Sequence, residues 1–249
     1  MKITKENLIN LWEALEKILE GKRENNIGCK LCSSGIKKGY SYTPKETGIG
    51  YIVEACDCLV EYEHKKVILD LIKNSGIQKN ELTELYPFLK YEYQMDLTFE
   101  LLNILLDKKL NIFLSGSVGT GKTYTAMMMI KLFLSREKSV IFFNFATLLD
   151  RLRPKQDNFP FVHGDKLMSY LQNVPLLVLD DVLKEKQSEW VKERMFIIVN
   201  ERYRRGFQTI ITSNGDFEND FKRCFGEPIF SRLNSKLFYY QIIDKDKRT

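Results

Sequence analysis

Gly116-Ser117-Val118-Gly119-Thr120-Gly121-Lys122-Thr123 is the stretch on which the reading of this 249-residue chain turns. It satisfies G-x-x-x-x-G-K-[ST] at every fixed position. Each residue type has a physical reason. Glycines let the backbone bend so that successive N–H groups face inward, toward phosphate oxygens. A helix that starts at the end of the loop adds the positive end of its dipole. Lys122 is placed to reach the outer phosphates, and the Thr123 hydroxyl to ligate Mg²⁺. The flanks agree. Asn111 to Ser115 reads as a short buried strand, and Thr123 to Ser135 as a helix.

Downstream, Leu176-Leu177-Val178-Leu179 runs into Asp180-Asp181. A buried parallel strand that ends in acid puts the acid at the carboxyl edge of the sheet, where ligands bind. Asp180 is expected to hold Mg²⁺ through water. Asp181 is expected to orient or deprotonate the attacking water. A further strand, Phe207 to Thr212, ends in Ser213-Asn214. Two readings fit Asn214: a contact to the γ-phosphate or the water, or a turn at Asn214-Gly215-Asp216.

Outward from these segments, helix and strand patterns alternate. Helices are expected over 96–107, 146–152, 166–172, 188–205 and 220–225, and strands over 139–144, 174–179 and 236–243. That alternation predicts an α/β fold with a parallel sheet covered on both faces. Before it, helical spacing predicts a helix over 3–19 and another over 59–73. The division expected is 1–76 as an N-terminal helical, cysteine-bearing part, 77–94 as a linker and 95–249 as the nucleotide-binding domain.

Together these residues resemble the AAA+ ATPases of the helicase-loader group, the DnaC/DnaI type, and the related IstB-type transposition helpers. The likeness covers about Ser75 to Ile243. It rests on GSVGTGKT, LLVLDD, the IIVNERY helix followed by TIITSN, and IFSRL. It implies a five-stranded parallel sheet flanked by helices and, since the chain stops just after its last strand, no C-terminal lid. It implies ATP and Mg²⁺ as cofactors and nucleotide-dependent self-association. Asn214 becomes the sensor residue, and Arg232 a finger reaching a neighbouring subunit's γ-phosphate. The region after the second strand becomes a contact for single-stranded DNA. Phe145, Arg151 and Arg153 there, with Lys155 and Phe159, mix aromatic and basic groups, which suits stacking on bases and pairing with phosphates. The competing reading makes Leu148, Leu149 and Leu152 core and the arginines solvated. Arg202, Arg204 and Arg205 are expected either to face a neighbouring subunit or to complement a helix C-terminus.

Cys29-x-x-Cys32 and Cys56-x-Cys58 form two closely spaced thiol pairs. Four thiolates suit tetrahedral Zn²⁺, and a site with no open position is structural. The alternative is four unrelated thiols. Loaders similar to this chain often carry such a module, which implies a small zinc-binding domain that docks on a replicative DNA helicase. Cys224, His64 and His163 read as ordinary residues.

The bulk properties set the frame. A 44% apolar fraction builds a core, and a net charge of +5 permits nucleic-acid contact without demanding it. The N-terminus lacks a signal-peptide core, and no run reaches the roughly 18 apolar residues of a membrane span. The expectation is a cytoplasmic ATPase with no membrane contact that loads a replicative helicase onto single-stranded DNA. A transposition helper on duplex DNA, a non-hydrolysing switch adaptor and a small-molecule kinase are the alternatives.

Overall fold

Residue alternation along the strands divides the core into two layers. In the computed structural model, β3 (Asn111–Gly116) sends Ile112 and Leu114 into one apolar cluster and Phe113 into the other. β5 (Leu176–Asp180) does the same, with Leu176 and Val178 on one side and Leu177 and Leu179 on the other. This is the period-two consequence of the pleat, and both faces are apolar because both are covered. The structure describes residues 42–47, 50–55, 57–77, 100–101, 103–104, 108–153, 162–183 and 188–243; for 42–65 and 162–165 it describes the backbone only.

β6 (Gln208–Ser213) completes the interior, and β4 (Val140–Asn144) and β7 (Leu237–Ile242) lie at the two edges. The sheet is five-stranded in the order β4-β5-β6-β3-β7, and every pairing is parallel. β6 is thus inserted between β3 and β5, the strands that carry the glycine loop and the paired aspartates. The expected α/β architecture of five parallel strands flanked by helices is the observed one.

One face is covered by α2 (Lys122–Ser135), whose residues are nearly all buried because it lies between the sheet and another helix. That other helix is α1 (Asp57–Asn74). Its Ile68 and Ile72, with Ile77, belong to the same apolar cluster as Ile112, Val178 and the α2 side chains. Burying Ile68 and Ile72 stabilises the contact by roughly 1.5–3 kcal/mol each. This corrects the expected division at residue 76. Residues 68–77 share a core with the nucleotide-binding domain, so a cut there passes through packed side chains. The periodicity of 59–73 marked an amphipathic helix but carried no information on which surface its apolar stripe meets.

The opposite face carries α3 (Phe145–Leu152), α4 (Val162–Asn173), α5 (Glu189–Arg205), α6 (Lys222–Phe225) and α7 (Glu227–Asn234). Ser188 caps α5, accepting from the Val191 N–H at 3.4 Å, and Gly206 ends it in the left-handed region at φ 69°. A π-helical turn, Phe217–Phe221, leads into α6. Helix α7 was not anticipated, although Pro228 in its first turn is a recognised start signal.

A second element missed in sequence is the antiparallel hairpin of β1 (Tyr42–Thr47) and β2 (Gly50–Ala55). Tyr, Thr, Ile and Val favour strands, but the surrounding glycines and polar residues masked the pattern. No described helix is long and apolar enough to cross a membrane.

Candidate ATP site

The sheet's carboxyl edge assembles the site. At Gly116 the backbone has φ 149°, and a Cβ there would meet the Ile242 carbonyl oxygen at 2.5 Å, so only glycine lets β3 turn into the loop against β7. Gly121 then starts α2 in the left-handed region at φ 97°, with no side-chain cap. The amino end of α2, with the positive end of its dipole, therefore lies at the end of the loop, where an anion is favoured. Val118, at the loop tip, is 55% exposed.

Lys122 is only 5% exposed, and its Nζ donates to the carbonyls of Gly116 at 2.8 Å and Ser117 at 2.7 Å. Thr120 Oγ1 donates to the same Ser117 carbonyl at 2.9 Å. Gly119 sits between them at φ 81°. The ammonium is thus folded across the mouth of its own loop, within reach of any phosphate seated there.

Asp180 lies opposite, 6% exposed at the end of β5. Its Oδ1 accepts from Thr123 Oγ1 at 2.8 Å and from Thr212 Oγ1 at 2.6 Å. Burial raises its carboxyl above the usual range; the Thr212 and Thr123 hydroxyls counter this, Asp181 adds to it, and Lys122 opposes it. A buried carboxylate that two hydroxyls only partly compensate is electrostatically ready for a cation. The residues present therefore fit Mg²⁺: Thr123 offers an exposed hydroxyl beside a buried acid. Thr123 and Asp180 are the groups that would hold the ion with ATP phosphates, directly and through water.

Asp181 follows in the left-handed region at φ 59°. For a residue with a Cβ this conformation costs roughly 1–3 kcal/mol. Bonds on both sides of it offset that cost: the Asp181 N–H donates to Thr212 Oγ1 at 3.0 Å, and the Val182 N–H to the Thr212 carbonyl at 3.0 Å. Thr212 was read in sequence only as strand. It is fully buried, and a threonine in a Thr-Ile-Ile-Thr-Ser strand carries no local sign of this second use.

Asn214 is exposed just past β6. Because Ser115 pairs with Ser213, Asn214 stands level with Gly116 at the same sheet edge. Arg232 is held elsewhere: Nε donates to Asn200 Oδ1 at 2.7 Å, Nη1 to the Pro228 carbonyl at 2.7 Å, and the guanidinium lies 4.8 Å from the Phe196 ring centre. Its described hydrogen bonds run to α5 and α7, not to the loop or to Asp180.

The residues read as a DNA contact divide. Phe145 is 1% exposed, with its ring 6.1 Å from that of Phe225. It begins α3 on the core side, so no face is open to a base, and this corrects its expected stacking role. Arg151 and Arg153 are exposed, Arg151 lying 5.2 Å from the Phe143 ring centre. Lys155 and Phe159 lie outside the described residues. Arg202 is a second correction. It is 1% exposed and donates to the carbonyls of Leu171 and Val174, to Thr209 Oγ1 and to the Gln208 carbonyl. Of its two expected roles the helix C-terminus is the one seen, at the end of α4 rather than of its own α5, and no neighbouring subunit is involved. Cys29, Cys32 and Cys56 lie outside the described residues, and of Cys58 only its place in α1 is described.

Residues 89–234, more than half of the chain, match the model of the IstB-like ATP binding protein family. The chain belongs to that family. Its ATP-binding character agrees with the loop, lysine and buried acid just described. Among curated proteins, this IstB-like chain is 28% identical over 119 residues to the replicative helicase loader DnaC of Escherichia coli K12, covering 48% of each. The same identity and coverage hold for the DnaC of Buchnera aphidicola. The chain thus spans about half the length of the curated relatives it matches. Among solved structures, a DnaC helicase loader aligns with TM-score 0.51 at 23% identity, over 61% of this chain and 92% of that one. AMPPCP-bound DnaA from Aquifex aeolicus aligns with TM-score 0.51 at 22% identity, over 61% and 47%. At those identities the likeness is one of fold, that of the AAA+ P-loop domain.

Proposed function

We propose that this IstB-like protein is an ATPase that loads a replicative DNA helicase onto single-stranded DNA during initiation of replication. The observation that carries the ATPase part is the junction of Thr123, Asp180 and Thr212 beside the glycine loop. It brings a metal-ligating hydroxyl, a buried acid and a polarised backbone to one sheet edge. In this reading bound Mg²⁺ supplies charge neutralisation at the phosphates. The chain's own groups do the rest. Loop N–H groups and Lys122 orient the phosphates, Asp180 anchors the metal's shell, and Asp181 takes the proton of the attacking water. Asn214 fixes that water, and Arg232 acts on the site of a second copy. Such a trans arrangement agrees with Arg232 being tied to α5 and α7, and it makes hydrolysis depend on self-association.

The loader part is supported by the relatives named as helicase loaders. In this reading the helicase contact lies in the N-terminal part, folded around Zn²⁺ by Cys29, Cys32, Cys56 and Cys58. Arg151, on the exposed side of α3, and Arg153, just past its end, contribute a single-stranded DNA contact. ATP hydrolysis measured with and without single-stranded DNA, together with helicase capture by the full chain, tests the proposal. We expect DNA-stimulated phosphate release and helicase capture that is lost in a Cys29→Ser/Cys32→Ser variant along with bound zinc. Folded protein that binds no nucleotide sinks the ATPase; capture untouched in a zinc-free variant sinks the docking assignment.

The IstB-like family match favours one second reading, a transposition helper acting on duplex DNA. Stimulation by duplex in preference to single strands would select it.

A further inference from the structure

β6, the strand between the two nucleotide-binding strands, carries a threonine whose hydroxyl meets both aspartates. We propose that Thr212 is a positioning residue for the metal-binding side of the ATP site: one hydroxyl fixes both the carboxylate of Asp180 and the backbone of Asp181. The proposal rests on the reading of this site as an ATP·Mg²⁺ site.

A threonine hydroxyl has one proton to give and lone pairs to accept with. Here the proton goes to Asp180 Oδ1 at 2.6 Å, and a lone pair takes the Asp181 N–H at 3.0 Å. The carbonyl of the same residue takes the Val182 N–H at 3.0 Å. Thr212 is fully buried, so water cannot substitute for these bonds. Thr123, from α2, donates to the same oxygen, Oδ1, at 2.8 Å. Both hydroxyls therefore fall on one carboxylate oxygen, and that choice sets the rotation of the carboxyl group. Oδ2 is left outside these hydroxyl bonds, to meet a metal's hydration shell. The left-handed Asp181 at φ 59° is fixed by the same side chain. Since β6 also ends in Asn214, a shift of this strand moves the acid pair and Asn214 as one unit. A partner that orients a metal-binding carboxylate is typically worth ten- to a hundred-fold in metal affinity.

Valine has the same shape and strand preference as threonine but neither the proton nor the lone pair; serine has both. Binding of ADP to the full chain is measured by calorimetry in Mg²⁺ and in EDTA. For wild type we expect Mg²⁺ to tighten binding. For T212V and T212A we expect that Mg²⁺-conferred gain to shrink on the order of ten- to a hundred-fold, with affinity in EDTA unchanged. T212S should keep the gain. The melting temperature in EDTA identifies a variant that misfolds, and T212A, which brings no new bulk, then carries the comparison. A full Mg²⁺ gain in T212V overturns the proposal. So does T212S falling as far as T212V, which would place the effect in the methyl group, or a parallel loss in EDTA. Wild-type protein that binds no ADP in either condition overturns the site itself, a separate failure.

Discussion

The two ends of the parallel sheet each bury a cation, and they use it in opposite ways. At the amino end, Arg202 spends its guanidinium on the carbonyls that close α4 and open β6, and on Thr209. Burial pulls its pKa down to about 9, so it is still charged at neutral pH. Nearby, Thr209 N–H donates to Asn111 Oδ1 at 2.9 Å and Gln208 Nε2 to the Leu110 carbonyl at 3.3 Å. That end is stitched to itself. At the carboxyl end, Lys122 leans on the carbonyls of a loop whose amides and glycine torsions suit an anion, facing a buried acid. Burial alone therefore does not mark function. What separates the two is whether the fold's own acceptors already match the shape of the charge. A planar fork with fixed directions is matched at one end, and a point charge on a flexible stem remains re-aimable at the other.

The sharpest way to break this contrast is Arg202→Leu. It orphans several buried carbonyls and should cost about 3–5 kcal/mol in urea denaturation, while ADP affinity of the folded fraction stays at the wild-type value. An affinity loss matching that of a site variant would mean the ends are not separate. Next in size, Lys122→Ala should weaken ATP binding on the order of a hundred-fold, as expected for losing a charge-assisted bond worth about 3 kcal/mol. Its melting temperature without nucleotide should fall by much less than that of Arg202→Leu, so the two variants rank in opposite order for binding and for stability.

Asp180→Asn sharpens the electrostatic half. The Asp180 carboxyl is raised by burial in the folded chain. Its contribution to stability is therefore fully present below the ordinary carboxylate range and is lost as pH rises through the elevated folded value. Nucleotide-free D180N should lose that slope and unfold at higher denaturant than wild type at neutral pH, at the expense of Mg²⁺-dependent binding. A pH profile unchanged by the substitution would contradict the desolvated-acid account. The smallest effect is expected for Arg151→Ala. Its stability loss should be about 0.5 kcal/mol, the worth of an exposed cation–π contact. Any fall in single-stranded DNA affinity beyond a control such as Lys138→Ala would then belong to recognition.

Much of the nucleotide site was legible in sequence because its chemistry is local. Gly116, Gly121, Lys122 and Thr123 have to be neighbours for one loop to wrap a phosphate, and Asp180 has to end an apolar strand. What escaped depends on contacts between distant segments. Arg202 sits in an Arg-Tyr-Arg-Arg run whose other members are exposed, so nothing in the run itself separates it from Arg204 and Arg205. Phe145 opens a helix among basic residues, and its burial is decided by Phe225, far along the chain. Thr212 is a strand former in a strand, and its second use appears only once β5 lies beside β6. The packing of Ile68 and Ile72 on α2 was hidden for the same reason.

The segment after α1 also settles something about the outer border of the sheet. Ser75 is buried, its carbonyl accepts the Phe142 N–H at 2.9 Å, and a Cβ on Gly76 would lie 2.9 Å from the Phe142 carbonyl. A short length of non-strand chain thus occupies a rung of β4 that an incoming strand would need. Borders of this kind are where sheets otherwise zip onto foreign chains. At that rung the backbone of β4 is already matched from within the chain, which closes it to an added strand.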